Sequence, residues 1–150
     1  HEFIKAAYDY QDNTFHSHPG YYIDYFEMRL AQLQVLHNLH YEIKKIRKMP
    51  KQALVIADYI MYMADYVVEM NIPDQQIEKL EEISEQMKQE ELPKTREEFE
   101  GRALLYHILM DLEEFLVYKK RFVNGLDEKK LRIYWKQEME QKDSANELQK

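Results

Sequence analysis

His37 and His40 stand three residues apart in a stretch of helical periodicity, so their imidazoles share one face. Paired imidazoles are what a zinc site draws on, but such a site takes three or four ligands. The chain has no cysteine and no Glu-x-x-His, the repeat from which di-iron bundles are built. The pair therefore reads as structural, satisfied in or beside the core. His16 and His18 flank Ser17 ahead of Pro19-Gly20 and read as solvated loop residues. No metal and no other cofactor is expected. Serine occurs only at 17, 84 and 144, none in a nucleophile elbow, and no Gly-rich phosphate loop is present. With thiols excluded as well, the chain is not expected to be an enzyme.

Arg29, Arg102 and Asp111 lie close to apolar seams. An arginine with a buried stem needs a carboxylate, because an unpaired buried charge costs several kcal/mol, roughly. Glu27, Asp58, Asp65, Glu100 and Asp111 can supply it, and the result is an inter-helix ion-pair network that fixes register. The alternative uses the guanidinium fork to hold the carboxylate of a ligand. Tyrosine is abundant, 12 in 150 residues. Tyr8, Tyr10, Tyr21, Tyr22, Tyr25, Tyr59, Tyr62, Tyr66 and Tyr106 fall on or beside the expected core faces. They can pack helix interfaces, or line a pocket for an aromatic acid with their hydroxyls paired.

The elements that position these residues are helices. Gly 3 and Pro 4 leave few turns, which favours a few long helices over many strands. Thr95 and Glu98 form a capping box after Pro93, with Glu97 and Glu98 favouring the positive end of the helix dipole. From there Leu105, Ile108, Leu109, Leu112, Phe115 and Leu116 make a helical stripe, which runs to about Phe122 and ends at a C-cap on Asn124-Gly125. A helix over Tyr22–Lys48 is expected to face inward with Ile23, Phe26, Leu30, Leu33, His37, His40 and Ile43, stopped by Pro50. A third covers Lys51–Met70. Asp74 caps a fourth over Gln75–Glu90, with Ile77, Leu80, Ile83 and Met87 as its seam. A short helix from Glu2 to about Asn13 precedes these, and one amphipathic turn or helix follows through Met139. The fold class is all-α: an up-and-down antiparallel bundle of four main helices plus a short N-terminal one. It forms one domain over 1–141, with a frayed tail at 142–150.

The chain is 45% hydrophobic and carries a net charge of -7, which disfavours nucleic acid as a partner. Between Pro73 and Glu100 ten acidic side chains face four basic ones, whereas Lys44, Lys45, Arg47, Lys48 and Lys51 make a basic knot. The most apolar window, from Ala53 to Val68, is broken by Asp58 and Asp65 and is shorter than the roughly 20 residues a membrane span needs. The chain begins without Met, already in helical pattern, and reads as a piece of something longer.

Two segments, Tyr25-Phe26-Glu27-Met28-Arg29-Leu30-Ala31-Gln32 and Leu92-Pro93-Lys94-Thr95-Arg96-Glu97-Glu98-Phe99-Glu100, the second leading into Arg102-Ala103 and Asp111–Leu116, resemble the C-terminal domain of the aromatic acid exporter family of bacterial inner-membrane proteins. The likeness runs from about Tyr21 to Phe122. It implies a helical module on the cytoplasmic face of the cell membrane, joined to a membrane-spanning half of the same polypeptide. Its role there would be regulation, ligand sensing or assembly, with self-association as a further option. The rival reading is a soluble protein-interaction module without a small ligand, docking through its acidic helix. For an aromatic carboxylate ligand the expected site residues are Arg29, Arg102, Tyr22, Tyr25 and Tyr106. If a membrane lies before His1, the basic knot of Lys44, Lys45, Arg47, Lys48 and Lys51 returns to it. Otherwise those cations only complement the negative end of their own helix.

Overall fold

A computed structural model describes residues 4–5, 19–48, 50–135 and 147–149. Five helices and no strand occur among them: α1 (Pro19–Lys44), α2 (Ala53–Ala64), α3 (Asp74–Lys88), α4 (Arg96–Asn124) and α5 (Glu128–Tyr134). The all-α bundle is as expected. The expected N-terminal helix and the tail at 142–150 fall largely outside the described residues, as do His16, His18, Tyr8 and Tyr10. Where the sequence suggests one domain over 1–141, the chain groups into two compact units: a central unit, Glu27–Lys120, and an end unit built from His1–Phe26 with Arg121–Lys150.

The central unit is a four-helix core. Val35 and Leu39 of α1, Ile56, Tyr59 and Met63 of α2, Leu80, Ile83 and Met87 of α3, and the α4 stripe from Leu105 to Leu116 form one buried cluster. Each such side chain contributes about 1.5–3 kcal/mol by leaving water. Two buried hydrogen bonds tie the helices. Gln32 Nε2 donates to the carbonyl of Phe115 at 2.8 Å, joining α1 to α4. The Tyr59 hydroxyl donates to the carbonyl of Gln76 at 2.6 Å, joining α2 to α3. Burial raises the Tyr59 phenol, with Tyr62 adding to the shift, so it stays a donor.

The helix boundaries follow local chemistry. Thr95 Oγ1 accepts from the N–H of Glu98 at 3.1 Å. The returning carboxylate takes the N–H of Lys94 at 2.9 Å, one residue before the donor that the box anticipates. Asp74 is not a cap: it is the first helical residue, the cap position is held by Pro73 without a side-chain bond, and the Asp74 carboxylate pairs with Lys120. At the end of α4 the N–H of Gly125 reaches the carbonyls of Arg121 and Phe122 at 3.0 and 3.2 Å, but no glycine among the described residues has positive φ. The helix thus ends at Asn124-Gly125 as expected, without a left-handed residue there. Helix α2 stops at Ala64, short of the expected Met70, and passes into turns such as Tyr66 N–H to Met63 O at 2.9 Å. Helix α1 stops at Lys44, where Lys45 and Ile46 donate three residues back and tighten the last turn.

The main correction concerns α1. Its buried stripe is Tyr21, Met28, Gln32, Val35 and Leu39, whereas Ile23, Leu30, Leu33 and Ile43 are exposed, as are His37 and His40. The helix carries an apolar stripe on each of two opposite faces at the same alternating 3,4 spacing. A polar residue, Gln32, sits in the stripe that is buried, which disguised it.

In the end unit, Tyr21 is enclosed by rings. Tyr134 stacks on it at 3.9 Å between centroids with planes 7° apart, Phe122 tilts against it at 5.6 Å, and Tyr22 meets it edge-on at 5.0 Å. Its hydroxyl accepts from Trp135 Nε1 at 3.1 Å. Asp127 caps α5 by accepting from the N–H of Lys130 at 2.7 Å.

Candidate functional site

The central unit holds a cleft of about 720 Å³, within the range of small-molecule sites. The approach to α2 (Lys48, Pro50, Lys51, Gln52), the segment after α3 (Gln89 to Leu92, and Lys94) and the first turns of α4 (Glu97, Glu98, Arg102) line it. Proline and glycine set its shape: Pro50 keeps the chain from continuing α1, and its ring seats on Gly101, where α4 offers no side chain. Four cations, Lys48, Lys51, Lys94 and Arg102, and four carboxylates, Glu90, Glu91, Glu97 and Glu98, share the lining.

Several of these groups are already engaged. Gln52 Nε2 donates to the Glu90 carboxylate, and Glu98 accepts from the backbone of Lys94. Arg102 Nη1 donates to the carbonyl of Glu91, which anchors the guanidinium at the wall. That uses one of five N–H donors, so the fork keeps donors for a planar carboxylate. Pro50 and Leu92 supply the apolar lining, together with the aliphatic stems of the lysines.

The expected site residues are not brought together in one place. Arg102 lines the cleft, and so do Lys48 and Lys51 of the basic knot; Lys44 is the last residue of α1, while Lys45 and Arg47 are exposed beyond it. Arg29 lines a separate cavity of about 10 Å³, room for a single water at most. There its Nη1 donates to Gln32 Oε1 at 2.8 Å. Tyr106 packs on the helical core and does not line the cleft. Tyr22 and Tyr25 belong to the ring cluster of the end unit, Tyr25 meeting Phe122 at 5.6 Å. His37 and His40 are exposed rather than beside the core, each edge-on to Tyr41, at 4.9 and 6.2 Å. Among the described residues no group of three or more His, Asp and Glu side chains is placed to hold a metal.

Two polar groups of α4 carry more weight than their sequence context suggests. Lys119 is 4% exposed, and its Nζ donates to the carbonyls of Val68 and Glu69, both at 2.7 Å. The amine thus takes up carbonyls set free where α2 has unwound. Burial first, and the charge of Arg29 second, push it down to about 7 against the upward pull of Glu69. The signal was present, since Lys119 extends the Leu105–Leu116 stripe by four residues beyond Phe115. Asp111, weighed as an arginine partner, instead lies 3.8 Å from His107 Nε2, itself 3.8 Å from Glu42. Its Oδ2 is buried without a hydrogen bond. Burial raises this carboxyl; His107 lowers it, and Glu114 and Glu42 raise it further.

The central unit is thus an all-helical core with a cleft of mixed charge. The chain belongs to the family "Putative aromatic acid exporter C-terminal domain", whose model matches residues 1–120. It is similar to the "Uncharacterized protein YqjA" of Bacillus subtilis (strain 168), 29% identical over 118 residues. That match covers 79% of this chain and 37% of the relative, so the chain spans little more than a third of the relative's length. It also resembles a solved structure titled "Crystal structure of putative membrane protein from Clostridium difficile 630", at TM-score 0.67 and 28% identity, covering 81% of this chain and 70% of that one. No helix among the described residues is long and apolar enough to cross a membrane.

Proposed function

We propose that this chain is a non-catalytic sensing module of a bacterial membrane exporter, working on the cytoplasmic face beside a membrane-spanning half of the same polypeptide. The ligand it reads is a small carboxylate of the aromatic acid class, held by Arg102 with Lys48, Lys51 and Lys94 around it. The observation that carries this reading is the cleft of about 720 Å³ on which those four cations converge, in a chain of this family. Arg29 is left out of the ligand site because its cavity has no room for a ring. An arriving carboxylate would compete with the backbone carbonyl of Glu91 for the Arg102 guanidinium, loosening the segment after α3 from the start of α4. That is a route by which occupancy could be passed on. The exposed Lys44, Lys45 and Arg47 would lie toward anionic lipid, worth about 1 kcal/mol for each cation near the surface.

Calorimetric titration with benzoate and hydroxybenzoates tests the ligand reading. Saturable heat that is lost in Arg102→Gln, with the thermal midpoint of that variant within a few degrees of the parent, is the expected result. No heat with any of these acids overturns it. Co-sedimentation with anionic vesicles at low salt, where screening is least, tests the membrane-facing end. Binding should disappear when Lys44, Lys45 and Arg47 become Gln.

A further inference from the structure

Glycine at 125 is accounted for neither by backbone conformation nor by space. Its φ is not positive, and a Cβ there would meet only the carbonyl oxygens of Arg121 and Phe122 at 3.5 Å, ordinary contact distances. What the residue does change is the chemistry of its neighbour. Alone among the asparagines of the chain, Asn124 is followed by glycine. A backbone nitrogen with no side chain beside it is the one best able to reach the carboxamide of the preceding asparagine. Both residues are exposed, where α4 ends.

We propose that Asn124-Gly125 is a site of spontaneous modification, where the carboxamide is converted to aspartate and isoaspartate at a rate set by the closed last turn of α4. The Gly125 nitrogen loses its proton to water or hydroxide and attacks Cγ of Asn124. A C–N bond forms, the bond from Cγ to the side-chain nitrogen breaks, and that nitrogen takes up the proton and leaves as ammonia. The five-membered imide that results is opened by water at either of its two carbonyls, one giving aspartate and the other isoaspartate. One water is consumed, one ammonia is released, and nothing is oxidised or reduced.

The fold holds this reaction back in two ways. The attacking N–H donates to the carbonyls of Arg121 and Phe122 at 3.0 and 3.2 Å. A helical Cβ also tilts toward the N-terminus, which carries the Asn124 carboxamide away from the following nitrogen. Attack therefore requires the last turn to open. Phe122 and Val123, 9% and 8% exposed, pin that turn. Phe122 in turn lies against Tyr21, on which Tyr134 stacks, so opening is coupled to the ring cluster of the end unit. The product alters the same turn. A new carboxylate stands at the negative end of the α4 dipole, where it is unfavourable, and isoaspartate adds a carbon to the backbone just ahead of the Asp127 cap.

Ageing of the whole chain at mildly alkaline pH tests this, with mass spectrometry locating the exchange of carboxamide for carboxylate and enzymatic methylation counting isoaspartate. In concentrated guanidinium chloride conversion should fall first at Asn124. In buffer it should proceed at the same residue but about tenfold to a thousandfold more slowly, the range for a local opening that stops short of global unfolding. Gly125→Ala, for which there is space, should slow it by about tenfold or more in both solvents, because a Cβ shields the nitrogen. Tyr134→Ala should speed it in buffer and leave the rate in denaturant unchanged. Equal rates in the two solvents overturn the proposal, and so does a buffer rate below that range, which would put the step in the globally unfolded chain. First conversion at another asparagine in denaturant overturns it as well, and so does a buffer rate indifferent to Tyr134→Ala.

Discussion

Cγ of Pro50 lies 3.1 Å from the point where a side-chain carbon on Gly101 would be. The chain between α1 and α2 therefore rests on bare backbone of α4, and that seat holds Lys48 and Lys51 at the rim of the cleft. Glycine is costly inside a helix, by about 1 kcal/mol relative to alanine. Its presence at 101 is accounted for by the ring that sits on it.

Substitution at 101 separates the two effects. Gly101→Ala gains helix propensity and loses by crowding Pro50, so the denaturation midpoint should move little. Gly101→Val adds branched bulk that the ring cannot avoid, and should destabilise the domain by about 1–3 kcal/mol, the usual cost of overpacking. Under the sensing proposal it also weakens carboxylate binding, which calorimetry reads directly.

Thr95→Ala should cost about 1 kcal/mol through loss of the bond from the Glu98 N–H. Asp74→Ala should cost less than about 0.5 kcal/mol, since it removes only an exposed ion pair with Lys120 and no cap bond. Urea midpoints of the two variants check this order. Equal effects would mean that α3 and α4 begin by the same device.

Lys119 makes stability depend on pH in a defined window. Its amine is held near 7 in the fold, against 10.5 when unperturbed. Between those values the unfolded chain binds more protons than the folded one, so stability should rise with pH from about 7 toward 10.5. Lys119→Met should flatten this rise. It should also destabilise by about 1–3 kcal/mol, because the carbonyls of Val68 and Glu69 lose their donor. Chemical denaturation at a series of pH values gives both results.

Asp111 has the opposite linkage. Its folded carboxyl is raised, chiefly by burial, so its contribution favours the fold in acid and is lost as pH rises through the raised value. Asp111→Asn keeps the shape and removes the charge. Its midpoint should exceed the parent's at pH 7 and converge with it below about pH 4, where the parent carboxyl is protonated in both states.

The sequence was most readable where one physical signal stood alone. The α4 stripe from Leu105 to Leu116 has a single apolar face, and every one of those six residues is buried. The α3 seam followed for the same reason, although Gln76 is buried where Ile77, only partly buried, was expected. Helix α1 has two competing stripes of equal period, and periodicity cannot say which of them meets the core. Arg102 and the pair Lys48 and Lys51 came together from well-separated stretches because Gly101 admits Pro50, a steric fact that composition does not carry. Tyr22, Tyr25 and Arg29 were grouped with Arg102 by residue type, whereas the structure sorts them by unit and by cavity size.

The contact of Trp135 with Tyr21 spans 114 residues of chain. Trp135 is also the chain's one tryptophan, 2% exposed and wholly within the end unit. Indole emission therefore reports the opening of that unit alone, while helical ellipticity comes mostly from the central one. An optical melt of this protein contains two separate signals in one cuvette, and their midpoints coincide only if the two units open as one cooperative block.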